Sequence, residues 1–342
     1  MQRFIAALHY VAMMSKARVA SLFAGIGGIC LGFKQAGSEI IYANEIDHNA
    51  CETYRHNFEG APYLVEGDIY REHLSEDMNI DIVVAGFPCQ AFSIAGYRKG
   101  FQDERGVLFT QVHRIVKECN PKAVFLENVK NLMSHDNGNT YRTIKESFEA
   151  LDYEIVETVM NTMNYGNIPQ NRERIYVVAF KKQPDGSCQE LDKFSFPNPV
   201  NLTTTIHDII DYHDRKPSCF YYADSHKYYE KLNDAIKNPN TIYQWRRTYV
   251  RENKSNVCPT LTANMGTGGH NVPLIRDDFG IRKLTPEECL AFQGFPSDFS
   301  FPDIAKSQMY KQAGNSVSVP VIRRIAKNIL KATGFEYTEF DE

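Results

Sequence analysis

Between residues 16 and 180, short β-branched runs alternate with segments of helical period, and no other feature constrains the fold of this chain so tightly. ARVASLF, EIIYANE, IDIVVAG, KAVFLEN and RIYVVAF have the length and composition of strands, while residues 29–36, 107–116 and 141–151 have helical spacing. In the last of these, Tyr141, Ile144, Phe148 and Leu151 fall on one helix face. Strands joined in turn by helices predict an α/β fold with a doubly wound, mostly parallel sheet. The 342 residues, 43% of them hydrophobic, allow one large domain or two medium ones.

Near Gln183 the texture changes. Up to about residue 280 the chain is rich in Asn, Pro, Tyr, Thr and His, as in FPNPVNLTTT, KNPNTIYQW and NMGTGGHNVP, and a second, smaller domain of short strands and loops is expected. LTPEECLAFQGF then predicts a helix start, with Thr285 as N-cap, Pro286 at the first position and Glu288 closing a capping box. A final helix has Ile322, Ile325, Ala326, Ile329 and Leu330 on one face and stops at Gly334, so it should return to the first core. The expected division is 1–185 for the first part of the large domain, with 1–15 a tail, 186–310 for the small domain and its hinge, and 311–342 for the return.

Composition narrows the function. Apolar runs such as residues 175–180 fall far short of the roughly 20 residues of a membrane span, so no membrane association is expected. The opening MQRFIAALHYVAMM is broken by His9 and lacks a small-residue cleavage pattern, so it is not read as a signal peptide, and Met13 or Met14 is a candidate start. Eight cysteines never form C-x-x-C, which predicts neither zinc nor a dithiol motif, no metal, and a reducing cytoplasm. A net charge of -4 argues against indiscriminate coating of nucleic acid, so any basic face must be local.

Four stretches carry chemistry. In SLFAGIGGICLGF a strand runs through Gly25, Gly27 and Gly28 into a helix, which lets backbone approach a ligand; Cys30 stands where the dinucleotide fingerprint needs glycine. Glu45 and Asp68 follow the next two strands, and the set describes a nucleoside pocket, against the blander reading of a tight turn with solvated acids. VAGFPCQ delivers Cys89 on a corner made by Gly86 and Pro88, and FLENVKNL ends a strand at Glu127 before Asn128. Strand C-terminal ends share one sheet edge, so this thiol and carboxylate can face the same crevice; taken singly, an inert thiol and a surface acid explain them equally well.

The third stretch, YGNIPQNRERIYVVAF, places Gln170, Arg172 and Arg174 before a strand, and alternate arginines can share a face suited to phosphate or carbonyl oxygens. A solvated basic strand end is the competing reading. The fourth sets Arg246, Arg247, Arg251 and Lys254 among Tyr243, Trp245 and Tyr249, the local basic face that the acidic total conceals. Trp245 itself reads as a core anchor, and a plain polar loop domain remains the alternative.

FAGIGG, ANEID, EGDI, GFPCQAFSIAG, FLENVKNL, PQNRERIYVV, RKLTPEECLAFQGFP and YKQAGNSVSVP, in this order, resemble the motifs of the cytosine-5 DNA methyltransferases in their bacterial, type II restriction-modification form. The resemblance covers most of the chain outside residues 186–280. It implies a Rossmann-like fold binding S-adenosylmethionine, interrupted by an inserted target-recognition domain. The family pattern implies Phe23 against the adenine, backbone of Ala24, Gly25, Ile26, Gly27 and Gly28 near the methionine end, and Glu45 with Ile46 at the ribose. Asp68 and Ile69 would meet the adenine edge, and Pro88, Asn315 and Ser316 would complete the cofactor site.

By the same resemblance, Cys89 is the nucleophile, supported by Pro88, Gln90, Glu127, Asn128, Arg172 and Arg174. Carbon-5 of cytosine is a poor nucleophile until a thiolate adds to carbon-6 while Glu127 hydrogen-bonds or protonates N3. A free thiol has a pKa of about 8.5, so an electropositive setting that includes Arg174 should favour the thiolate. A cytosine stacked in a duplex must be flipped out to react, and the glycine- and charge-rich residues 93–106, with Ser93 and Arg105, resemble a lid over it. Thr260, with Leu261, matches the Thr-Leu pair of the recognition domain, and Arg246, Arg247 and Arg251 are the expected base readers.

Three alternatives differ in their sequence demands. The transfer-RNA branch of the family carries a Cys-Phe-Thr signature that is absent here. A nucleotide-dependent oxidoreductase leaves Cys89, Glu127 and the basic insertion unexplained, and an inactive DNA-binding subunit conflicts with intact catalytic motifs. The expected partner is double-stranded DNA, methylated by a monomer at a short GC-containing palindrome that a cognate endonuclease reads without stable binding to this chain. The expected location is the cytoplasm, associated with the nucleoid, for a bacterial or phage-encoded protein.

Overall fold

The computed structural model describes residues 15–87, 108–246, 248–253, 255–267 and 271–340. Pro88, Cys89, Gln90, Ser93, Arg105, Arg247 and Lys254 lie outside the described residues.

The alternation becomes β1 (Arg18–Leu22), α1 (Gly28–Ala36), β2 (Glu39–Glu45), α2 (His48–Asn57), β3 (Leu64–Glu66), β4 (Ile82–Ala85), α3 (Leu108–Cys119), β5 (Ala123–Val129), α4 (Asn139–Glu149), β6 (Tyr153–Asn161), β7 (Gln170–Asn171) and β8 (Glu173–Lys181). Seven of these strands form one sheet in the order β3-β2-β1-β4-β5-β8-β6. The pairings from β3 to β5 are parallel, whereas β8 runs antiparallel to both β5 and β6. The sheet is therefore mostly parallel, as the alternation predicts, but the edge strand β6 is absent from the sequence-predicted set. Its YEIVETVMN is largely half-buried, an edge pattern that lacks the continuous apolar run of the central strands.

Both sheet faces are covered. Along β4, Ile82 and Val84 join the core that includes α1 residues such as Phe33, while Val83 and Ala85 join the core of α3 and α4. Phe109, Val112, Ile115 and Val116 bury one face of α3, and Ile144 and Phe148 one face of α4, which ends at Glu149 with Leu151 packed just beyond. The order reverses between β1 and β4, and a crevice opens outside their C-terminal ends at such a switch point.

The small sheet has the order β10-β9-β12-β13, from β9 (Tyr243–Arg246), β10 (Tyr249–Glu252), β12 (Leu274–Asp277) and β13 (Gly280–Lys283). With α5 (Tyr229–Ala235) it encloses a core of Leu232, Ile236, Tyr243, Leu274 and Ile281, against which Trp245 packs. A two-strand link joins the sheets, as β11 (Cys258–Pro259) runs parallel to β7. At the junction, fully buried Arg282 meets Asp277 Oδ2 at 2.6 Å and both oxygens of Glu288 at 2.7 Å.

Glu288 lies in α6 (Pro286–Ala291), where the predicted capping box with Thr285 forms. The chain continues through α7 (Lys306–Asn315) to α8 (Val319–Thr333), whose buried face includes Ile322, Ile325, Ala326, Ile329 and Leu330, and Gly334 caps it at φ 76°. The sequence-based boundary at 311 falls inside α7, because the hydrogen-bonded helix already begins at Lys306. Among the described residues, no helix is long and apolar enough to cross a membrane.

Candidate active site

A cleft of about 660 Å³ lies at the switch point. It is walled by the β1–α1 turn, the ends of β2, β4 and β5, Arg172 just before β8 and Arg174 within it, and the C-terminal part of α7 with the residues after it. Phe23, Ala24, Gly25, Ile26 and Gly28 line it; Gly27 does not. Gly27 has φ 88°, and a Cβ there would come within 2.5 Å of the Phe58 ring, so this glycine shapes the turn from behind. A Cβ on Gly28 would lie 2.6 Å from Ser316 Oγ, which brings the C-terminal wall against the turn. Asn315 and Ser316 line the cleft.

Glu45 is tied to this turn. Its Oε2 accepts the Gly25 N–H at 2.8 Å, and its Oε1 accepts the N–H groups of Ile46 and Asp47, both at 2.8 Å. Each carboxylate oxygen can accept more than one hydrogen bond, so the backbone contacts orient Glu45 without using up Oε2. Asp68 caps a short turn through Tyr70 N–H, Ile69 is buried beneath it, and the rim residue Ile46 is 66% exposed. All four line the cleft.

The catalytic carboxylate predicted from sequence sits across the cleft. Glu127 is buried, with Oε1 3.2 Å from Arg174 Nε yet without a hydrogen-bond partner among the described residues. Burial pushes its pKa up, opposed by the charges of Arg174 and Arg172. Asn128 is buried and donates to the Phe87 carbonyl at 2.8 Å, joining the end of β5 to the segment after β4. Phe87 and Gly86 line the cleft, and Cys89 follows Phe87 by two positions in the chain.

Arg172 corrects an expectation. The carbonyl oxygens that it meets are the protein's own: its guanidinium donates to Leu261 O at 2.8 Å and to Ser316 O. At 2% exposure it is a bracket between β8, the loop after β11 and the C-terminal wall, with Nε unpaired among the described residues. Burial and Arg174 lower its hold on a proton, while Glu127 supports the charge, and a guanidinium stays protonated at neutral pH. Gln170 is also a bracket, buried and donating to Phe292 O and Gln293 Oε1.

The small sheet presents Arg246 and Arg251 outward on paired strands, exposed, on the face opposite Trp245 and Val250. Thr260 is half-buried, and its hydroxyl donates to Asn171 O at 2.6 Å. Several cleft residues carried no assigned role in the sequence: Asn44, Asp47, Phe87, Lys311, Gln312 and Gly314. All six stood inside quoted motifs, so position was legible but contact was not.

The C-5 cytosine-specific DNA methylase family matches residues 17–331. The type II methyltransferase M.Bsp6I of Bacillus sp. strain RFL6 is 53% identical over 318 residues, 92% of this chain and 99% of its own length. The type II methyltransferase M.HhaI of Haemophilus parahaemolyticus is 39% identical, over 93% of this chain and 96% of its own. A crystal structure of a Spodoptera frugiperda DNMT2 mutant superposes with a TM-score of 0.70, at 20% identity, over 92% of this chain and 100% of that one, which shows a shared fold. Family match, identity and cleft agree: this chain belongs to the C-5 cytosine-specific DNA methylases.

Proposed function

We propose that this chain modifies a flipped-out cytosine within one short duplex site, using Cys89 as nucleophile and Glu127 as the group that meets N3 of the ring. Membership of the family establishes the reaction class, methyl transfer from S-adenosylmethionine to carbon-5 of cytosine in DNA. The observation that carries the residue assignment is Glu127: a buried carboxylate oxygen with no hydrogen bond among the described residues and raised proton affinity, in one cleft with the glycine turn, Glu45 and Asp68.

The cleft residues suit the cofactor. Its volume falls within the range of small-molecule sites, the buried Gln312 Nε2 lacks a partner among the described residues, and Glu45 and Asp68 supply acceptors where a nucleoside presents hydroxyl and amino groups. Phe23, Ala24, Gly25, Ile26, Gly28, Glu45, Ile46, Asp68, Ile69, Asn315 and Ser316 would hold it. When bound, S-adenosylmethionine supplies an electrophilic methyl group on a sulfonium. Glu127 holds a proton toward the cytosine ring, Arg174 holds Glu127 in place, and Asn128 fixes the backbone leading to Pro88, Cys89 and Gln90.

The remaining assignments support this reading at larger scale. Residues 1–185 and the segment from α7 onward form the catalytic part, and residues from 186 to the loop before Lys306 form the recognition part with its hinge. Ser93, Arg105, Arg246, Arg247, Arg251 and Thr260 approach DNA. The chain works as a cytoplasmic monomer that shields its site from a cognate endonuclease. Labelled methyl transfer to unmethylated genomic DNA and, separately, to total transfer RNA tests the substrate: label in 5-methylcytosine of DNA alone is expected, and label confined to transfer RNA would overturn it.

A further inference from the structure

Two helices from opposite ends of the chain meet over the cleft. Lys311 in α7 places Nζ 2.7 Å from Asp47 Oδ2, and one residue on, Gln312 Oε1 accepts from Thr53 Oγ1 at 2.8 Å. Asp47 is the N-cap of α2, and its own N–H is held by Glu45 Oε1, while Glu45 Oε2 holds Gly25 N–H. A continuous chain of polar contacts thus runs from the glycine turn through Glu45 and Asp47 to Lys311, and every member lines the cleft.

The two cross-links differ in setting. Thr53 and Gln312 are buried, and Arg172 independently holds Ser316 O, so α7 is tied to the fold by contacts besides the ion pair. The pair is half open to solvent, with side-chain exposures of 43% for Lys311 and 28% for Asp47, a setting in which an ion pair adds little to folding. Burial alone would raise the Asp47 pKa, yet Lys311 and the helix N–H groups hold it below the usual range, so the pair is charged at neutral pH.

We infer that Asp47 and Lys311 form a clasp across the cofactor cleft, positioning residues that keep the C-terminal wall closed against the glycine turn and so set how slowly the cofactor leaves. The inference rests on the cofactor reading of the cleft. Asp47→Asn retains an N-cap side chain and removes only the charge, and Lys311→Met retains the apolar stem.

The test is the dissociation rate of S-adenosylhomocysteine from the full chain, for wild type, both single variants, the double variant and Lys311→Arg. Each single variant should release it about twofold to fivefold faster, the range of a partly exposed ion pair. The double variant should be no faster than either single one, and Lys311→Arg should resemble wild type. Raising salt should speed release from wild type but not from the double variant. Additive effects, an effect of Lys311→Met without one of Asp47→Asn, or unchanged rates would overturn the clasp. A wild-type chain that fails to bind S-adenosylhomocysteine would overturn the cofactor reading, and the clasp with it.

Discussion

At the scale of single residues, Glu127 shows how environment shifts an ordinary carboxyl toward its protonated form. Burial raises its pKa, and Arg174 and Arg172 pull it back. A carboxyl with a raised pKa loses its proton as pH climbs through that raised value, so the Glu127-dependent rate should fall on a limb lying above the ~4.3 of free glutamate. Arg174→Ala removes a charge that lowers the pKa, and the limb should move to higher pH in single-turnover rates measured across pH. Glu127→Ala should slow methyl transfer by about 10²-fold or more, while S-adenosylhomocysteine affinity from titration calorimetry changes little. A limb unmoved by Arg174→Ala would separate the two groups.

At the scale of elements, the Arg282 network fixes how the small sheet meets α6. Glu288→Ala would leave a fully buried guanidinium with Asp277 as its remaining acidic partner, and a loss of about 3–5 kcal/mol in urea unfolding is expected. A loss below about 1 kcal/mol would show that the junction relaxes or admits water.

The elements also show what could be read from the chain alone. Local signals spoke plainly: the capping box at Thr285, the apolar face of α8 and the glycine turn all act within a few residues, and each formed where it was expected. Pairing direction is not local, and nothing in RIYVVAF states that β8 runs antiparallel to its neighbours. Arg172 was legible as a site residue but not as a bracket, because Leu261 and Ser316 are brought to it only by the fold. The Asp47–Lys311 pair, separated by 264 positions, was hidden for the same reason.

For the whole molecule, the proposed reading gives the chemistry to the switch-point cleft and DNA reading to the basic hairpin. Arg246 and Arg251 stand on the solvent face of the small sheet, so replacing either with Ala should change site preference or DNA affinity by about 1–3 kcal/mol per lost guanine contact. S-adenosylhomocysteine affinity should stay at the wild-type value in the same variants. Equal DNA binding in both variants would move the recognition face elsewhere on the insertion.

The most direct measurement is base-resolution methylation sequencing of DNA from a methylation-free bacterial host expressing this chain, beside a host expressing the Cys89→Ala variant. The expected result is 5-methylcytosine at one recurring short site with the wild-type chain and none with the variant. Modification that persists with Cys89→Ala, or an unmodified genome in cells rich in soluble wild-type protein, would contradict the account.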